Sequence, residues 1–168
     1  MGNRLISAVI ASLAVAVSGC ADITSGVSKG VLDKMFEPDA TVVEASFETS
    51  EFVNPDPSNR PSPIIVRFYE LSSVGSFESA DFFALYEQDE DVLGTDLQAR
   101  EELQLAPGET RSFERELKAE TRYVAVIAAY RDIENANWRS SIEVELNDTT
   151  PVIVKLEKLT VSMEIKKD

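Results

Sequence analysis

The sequence predicts a mainly all-β fold: a two-sheet β-sandwich with one short helical insertion. Three observations lead to it. Beyond residue 40, apolar and polar residues alternate in short runs, the period of a strand with one buried face. Residues 123–130 read Tyr-Val-Ala-Val-Ile-Ala-Ala-Tyr, nearly all apolar, as in a central strand covered on both sides. Residues 79–86 break the alternation and carry helical spacing instead. A length of 168 residues suits one domain with its own core and is short for two.

The elements follow in order. Arg4 precedes an apolar run from Leu5 to Val17, broken only by Ser7 and Ser12. The run is too short to span a bilayer and has the length of a signal-peptide core. It closes on Val17-Ser18-Gly19-Cys20. Small residues before a cysteine resemble the lipobox of bacterial lipoproteins, and Cys20 is the only cysteine of the chain. Residues 1–19 are therefore predicted to be a signal peptide and residues 20–39 a lipidated tether. Two or more acyl chains on Cys20 would anchor the protein to a lipid bilayer. Ala21 at the next position resembles an outer-membrane address. Val27, Val31 and Met35, with Leu32 and Phe36 beside them, form an apolar stripe at helical spacing. It suits either a short packed helix or one lying on the membrane.

Residues 40–168 are expected to form the sandwich. Val43, Ala45 and Phe47 mark one strand, and Ile64, Val66 and Phe68 a second. A weaker strand lies around residues 111–117, and the central one at 123–130. Ile142, Val144 and Leu146 are joined by turn-rich residues 147–150 to Val152, Val154 and Leu156, which reads as a hairpin. The apolar parity then switches to Leu159, Val161, Met163 and Ile165. A one-residue slip turns side chains to the other face, so a bulge or bend is expected near Glu157-Lys158. Ser79 is a candidate N-cap for a helix that puts Phe82, Leu85 and Tyr86 on one face. The count is about seven strands, which argues a sandwich.

Composition narrows the function. Asp and Glu total 30 against 16 Lys and Arg, a net charge of −14. A chain this acidic is repelled by nucleic acid phosphates, so no nucleic acid partner is expected. The sequence contains no histidine, which removes His-based triads, His metal sites and His general bases. The serines at 72, 73, 76 and 79 lack a histidine partner, and no Gly-rich phosphate loop occurs. Asp89, Glu90 and Asp91 suit a calcium site or a solvated loop. The EF-hand template fails, because Leu93 occupies a ligand position. The solvated loop is the expectation. No enzyme activity, cofactor or metal is called for.

Residues 50–63 hold four of the seven prolines, Pro55, Pro57, Pro61 and Pro63. Proline fixes φ and removes a donor, so the loop stays outside the ladders in a restricted shape. Two readings fit the residues. The loop is a preorganised contact surface, or it is a long connector with Phe52 tucked into the core.

Asn54-Pro55-Asp56 and the run from Arg60 through Leu71 are followed by Phe77, by Ala80-Asp81-Phe82-Phe83-Ala84-Leu85-Tyr86, by Leu93-Gly94 and by Pro107-Gly108. Tyr130-Arg131-Asp132 and Trp138-Arg139 complete the set. In this order the segments resemble the TssJ family, outer-membrane lipoproteins of type VI secretion systems. The resemblance implies a transthyretin-like sandwich with an added helical segment. It implies a non-enzymatic tether on the periplasmic face of the outer membrane. Such a tether holds the periplasmic part of TssM and, through the membrane complex, TssL. The loop after the first strand contributes to TssM binding in the family, which points to Phe52, Val53, Asn54, Asp56 and Arg60 as contact residues. Arg131 with Asp132 suits a pair, and Trp138 suits a cover over the sandwich mouth; partner contact is the other reading of these residues. The rival function is a lipid-anchored periplasmic sandwich that binds a small ligand or sugar. Trp138 is the only tryptophan, which favours the scaffold.

Overall fold

The computed structural model describes residues 39–166. Strand β1 (Val42–Thr49) leads through a long loop to β2 (Ile64–Leu71). Two helices follow, α1 (Gly75–Ser79) and α2 (Phe82–Leu93), then β3 (Leu97–Leu105) and β4 (Thr110–Glu116). Strands β5 (Tyr123–Ala128), β6 (Arg139–Glu143), β7 (Thr149–Leu156) and β8 (Val161–Ile165) complete the order. The strands form two four-stranded sheets, β4-β1-β7-β8 and β3-β2-β5-β6. Only β1 and β7 run parallel; the other neighbours are antiparallel. The predicted β-sandwich is the architecture observed.

The period of two explains the main core. Val43, Ala45 and Phe47 of β1 and Val152, Val154 and Leu156 of β7 point inward, against Ile64, Val66 and Phe68 of β2 and Val124, Val126 and Ala128 of β5. Burying each large apolar side chain contributes about 1.5–3 kcal/mol. A second core lies on the other side of the β2–β5 pair. There Tyr69, Leu71, Ala125 and Ile127 meet Phe77, Phe82, Leu85 and Leu93 of the helical insertion. The helices thus cover the outer face of one sheet, which is why β5 lacks a polar face.

Four expectations change and one is narrowed. Residues 147–150 do not close a hairpin, because β6 and β7 belong to different sheets and the chain crosses between them. Of the bulge or bend expected at the parity switch, the bend is found, at Lys158 and Leu159, and it closes a hairpin: Leu156 pairs with Val161, Val154 with Met163 and Val152 with Ile165. Opposite residues of an antiparallel pair share a face, so even positions of β7 side with odd positions of β8. The Glu157 N–H closes the turn on the Thr160 carbonyl at 2.8 Å.

Strand β3 is the eighth, missed because Glu101 breaks its alternation. Glu101 lies opposite Phe68, and its carboxylate meets Arg115 of β4, so an inward edge position carries a charge. The helix N-cap is Asp81, whose Oδ1 accepts the Ala84 N–H at 3.0 Å, and Ser79 instead ends α1. Finally, the acidic residues 89–91 belong to α2 rather than to a solvated loop. The helix is interrupted at Gln88 (φ −139°, ψ 38°) and stops at Gly94, whose φ of 52° favours glycine. Expectations for residues 1–38, Cys20 among them, lie outside the described residues.

Candidate functional site

The loop between β1 and β2 ties its own far end and two distant segments to one residue, Asn54. The Asn54 N–H donates to the Lys158 carbonyl in the β7–β8 turn at 3.1 Å. Its Nδ2 donates to the Pro63 carbonyl at 2.9 Å, and its Oδ1 accepts the Arg131 N–H at 2.8 Å. Asn54 has a φ of 49°, a left-handed conformation that asparagine adopts more readily than most residues. The Val53 N–H donates to the Ser50 carbonyl and the Ser62 N–H to the Val53 carbonyl, both at 3.2 Å. Buried backbone groups of a long loop need such partners, and here they have them.

The tip is held separately. Asp56 Oδ1 accepts the N–H groups of Ser58 at 2.8 Å and Arg60 at 3.0 Å. Asp56 Oδ2 accepts from the Arg60 guanidinium at 2.7 Å. The Arg60 N–H first, then its guanidinium, hold the Asp56 carboxyl below the usual carboxylate range. Asn59 takes the second left-handed position of the loop, at φ 59°.

Exposure divides the five residues expected to contact a partner. Phe52 is 69% exposed and Arg60 lies on the surface, so Phe52 is not tucked into the core. Asp56 is half-buried and engaged with Arg60. Val53 sits in the main core and Asn54 is buried. In the unbound chain both hold the loop. Arg131 does not pair with Asp132. Asp132 accepts from Asn135 Nδ2 at 2.8 Å instead. Trp138 packs edge to face on Phe82 at 5.3 Å and touches both cores.

Pro55, Pro57, Arg131, Lys158 and Leu159 line a cleft of about 460 Å³ beside the loop. Lys158 and Leu159 escaped sequence reading, because the chain between them and Asn54 carries no local signal of the contact. Among the described residues, no group of three or more His, Cys, Asp or Glu could hold a metal ion.

The helix-covered face carries the second polar cluster. Asp89 is 3% exposed. It meets the Arg67 guanidinium at 3.4 Å, the Arg100 guanidinium, and the Tyr69 hydroxyl at 3.2 Å. Arg67 also donates to Glu102 at 2.8 Å and to the Tyr86 carbonyl at 2.6 Å, and lies over the Tyr86 ring. Burial disfavours the charge of Arg67, yet Glu102, Tyr69 and Asp89 outweigh it and raise its pKa. Burial, with the Asp89 charge, raises that of the Tyr69 phenol. Every member has a partner, as a buried network requires.

The chain is similar to proteins of one family. A family model described as "Type VI secretion lipoprotein, VasD, EvfM, TssJ, VC_A0113" matches residues 41–159. The T6SS lipoprotein TssJ1 from Pseudomonas aeruginosa is 32% identical over 77% of this chain and 98% of its own, with a TM-score of 0.74. Serratia marcescens Lip, a membrane-bound component of the Type VI Secretion System, is 25% identical over 77% of this chain and 99% of its own, with a TM-score of 0.70. A chain in a structure of a Type VI membrane complex shares the fold at 22% identity and a TM-score of 0.65, over 77% of this chain and all of that one. A search of curated proteins found no match. With its two-sheet sandwich, its helical cover and a family match across almost all of the described domain, the chain belongs to the type VI secretion lipoprotein family that includes TssJ.

Proposed function

We propose that the protein is a non-enzymatic tether on the periplasmic face of the outer membrane, anchored through acylated Cys20. It holds the secretion membrane complex by binding the periplasmic part of TssM, and TssL indirectly. The supporting observation is the loop between β1 and β2. Its backbone is tied to Pro63, Lys158 and Arg131 through one buried asparagine, while Phe52 stays exposed beside it. A loop ordered before binding loses less entropy on docking. An exposed aromatic is the residue type that carries binding energy once buried in a partner.

Two measurements test the reading. Calorimetry of the chain against the periplasmic domain of its cognate TssM should show binding that Phe52→Ser weakens about thirtyfold. Equal affinity in a variant of equal thermal stability would move the contact elsewhere. Metabolic labelling with palmitate should mark the unaltered chain and leave Cys20→Ser unlabelled. A labelled variant would reject Cys20 as the anchor.

A further inference from the structure

Strand β1 joins the two poles of the sandwich. At its start, the Leu117 N–H donates to the Thr41 carbonyl at 2.8 Å, the Val42 N–H to the Asp148 carbonyl at 3.0 Å and the Asn147 N–H to Thr41 Oγ1 at 2.9 Å. At its end, the Thr49 N–H donates to the Glu109 carbonyl at 3.0 Å and the Ser50 N–H to the Leu156 carbonyl at 2.8 Å. Between the poles it lies inside its sheet, paired with β4 from Val42 to Glu48 and with β7 from Val42 to Thr49. The chain enters β1 from Asp39 and leaves it directly into the loop of residues 50–63.

The C-terminal strand has the opposite geometry. Strand β8 is an edge strand antiparallel to β7, and β7 is parallel to β1. It therefore runs back to the pole where β1 begins. The Lys166 N–H donates to the Pro151 carbonyl at 2.9 Å, and Pro151 lies opposite Glu44. Lys166 thus sits two strand spacings from the first residues of β1, about 10 Å.

Under the proposed function, the anchor lies N-terminal to Asp39 and the partner holds the loop. A pull between them enters at one end of β1 and leaves at the other. We infer that the fold serves as an inextensible link: tension between the anchor and the loop passes along the main chain of β1 and does not unfold the sandwich. The inference rests on the proposed function and adds a mechanical property to it. A strand is already extended at about 3.3 Å per residue, near the limit of the chain. Tension favours unfolding only through the distance that its two points of attachment gain. Strand β1 alone spans about 25 Å, and a flexible chain from Asp39 to Ser58 spans about the same, so unfolding gains little. From Asp39 to Lys166 a flexible chain spans about 60 Å, whereas in the fold these two residues share one pole. A pull on Lys166 also opens the β7–β8 ladder bond by bond from its edge.

Unfolding under internal tension tests this, in the chain from residue 20 onward with Cys20→Ser. Asp39→Cys with Ser58→Cys, and Asp39→Cys with Lys166→Cys, place thiols at exposed positions. A single DNA strand joins the two thiols of each variant, and its complement stiffens it into a spring that pushes them apart. Urea unfolding is followed through Trp138, the only tryptophan, which touches both cores. The shift is read within each variant, with and without the complement, so any cost of the thiols cancels. The complement should lower the midpoint of the variant joined at 39 and 166 by roughly 1 M or more. It should leave the midpoint of the variant joined at 39 and 58 in place. A fall of equal size in both variants, or in neither, overturns the inference. No partner enters the measurement, so that failure leaves the proposed function standing. Calorimetry that moves the contact off the loop overturns the proposed function, and the load path of this inference with it.

Discussion

The two polar centres of the molecule use charge and hydrogen bonding in opposite ways. On the helix-covered face, Asp89 consumes two guanidinium groups and a phenol inside the protein. Its side chains are spent on each other, and the result is a fixed helix α2. At the loop end, Asn54 spends its hydrogen bonds on backbone groups of Pro63, Lys158 and Arg131. The side chains of Phe52, Arg131 and Lys158 remain available. The lesson is that an ordered loop presents free side chains when a neutral amide, bonded to main chain, does the ordering. A buried charge network stabilises locally and leaves little over for a partner.

That contrast can be broken by substitution. The largest effect is expected from Asp89→Ala. It takes one charge partner from the Arg67 guanidinium, whose side chain is 17% exposed, and removing one member of a buried pair costs about 3 kcal/mol or more. The low end applies, since Arg67 keeps Glu102 and the Tyr86 carbonyl. Urea unfolding should show the loss, while TssM affinity of the folded protein stays the same. Affinity that falls in step would mean the two regions are coupled.

Asn54→Ala comes next. The Pro63 carbonyl and the Arg131 N–H lose their amide partner, at about 2 kcal/mol in total. Here stability and affinity should fall together, because the loop loses its order. Full affinity in this variant would show that the clamp is dispensable.

Phe52→Ser sharpens the separation. Phe52 is exposed, so its unfolding free energy should stay within about 0.5 kcal/mol of the unaltered chain. The about thirtyfold rise in Kd should appear without it. A parallel drop in melting temperature would place Phe52 in the fold instead.

The smallest effect concerns pH. The Asp56 carboxyl is held below its ordinary value of 3.8 by the Arg60 N–H and guanidinium. A depressed folded pKa means that this contribution is complete above 3.8 and disappears as pH falls through the lower folded value. The amide resonances of Ser58 and Arg60, both donors to Asp56, should shift in that acid window. Shifts centred above pH 3.8 would contradict the direction.

Sequence alone determined much of the frame. Strands β1 and β7 declare themselves because a half-buried strand needs alternation, and β5 because a doubly covered strand cannot alternate. The proline-rich loop was legible as restricted, since proline acts on its own φ. Other features were decided only in three dimensions. Glu101 hid β3, because its inward charge is answered by Arg115 from another sheet. The acidic run at residues 89–91 reads as surface until Arg67 and Arg100 from two strands converge on Asp89. Phe52 and Val53 are adjacent apolar residues in a loop without a period, and only packing turned Val53 inward and left Phe52 outside. Asn54 is visible in the motif Asn54-Pro55-Asp56, but its task is not, because its partners at Arg131 and Lys158 lie far along the chain. Periodicity is a property of neighbours in sequence. A clamp, a buried ion hub and a cleft are properties of neighbours in space, which exist once the two sheets have closed on each other.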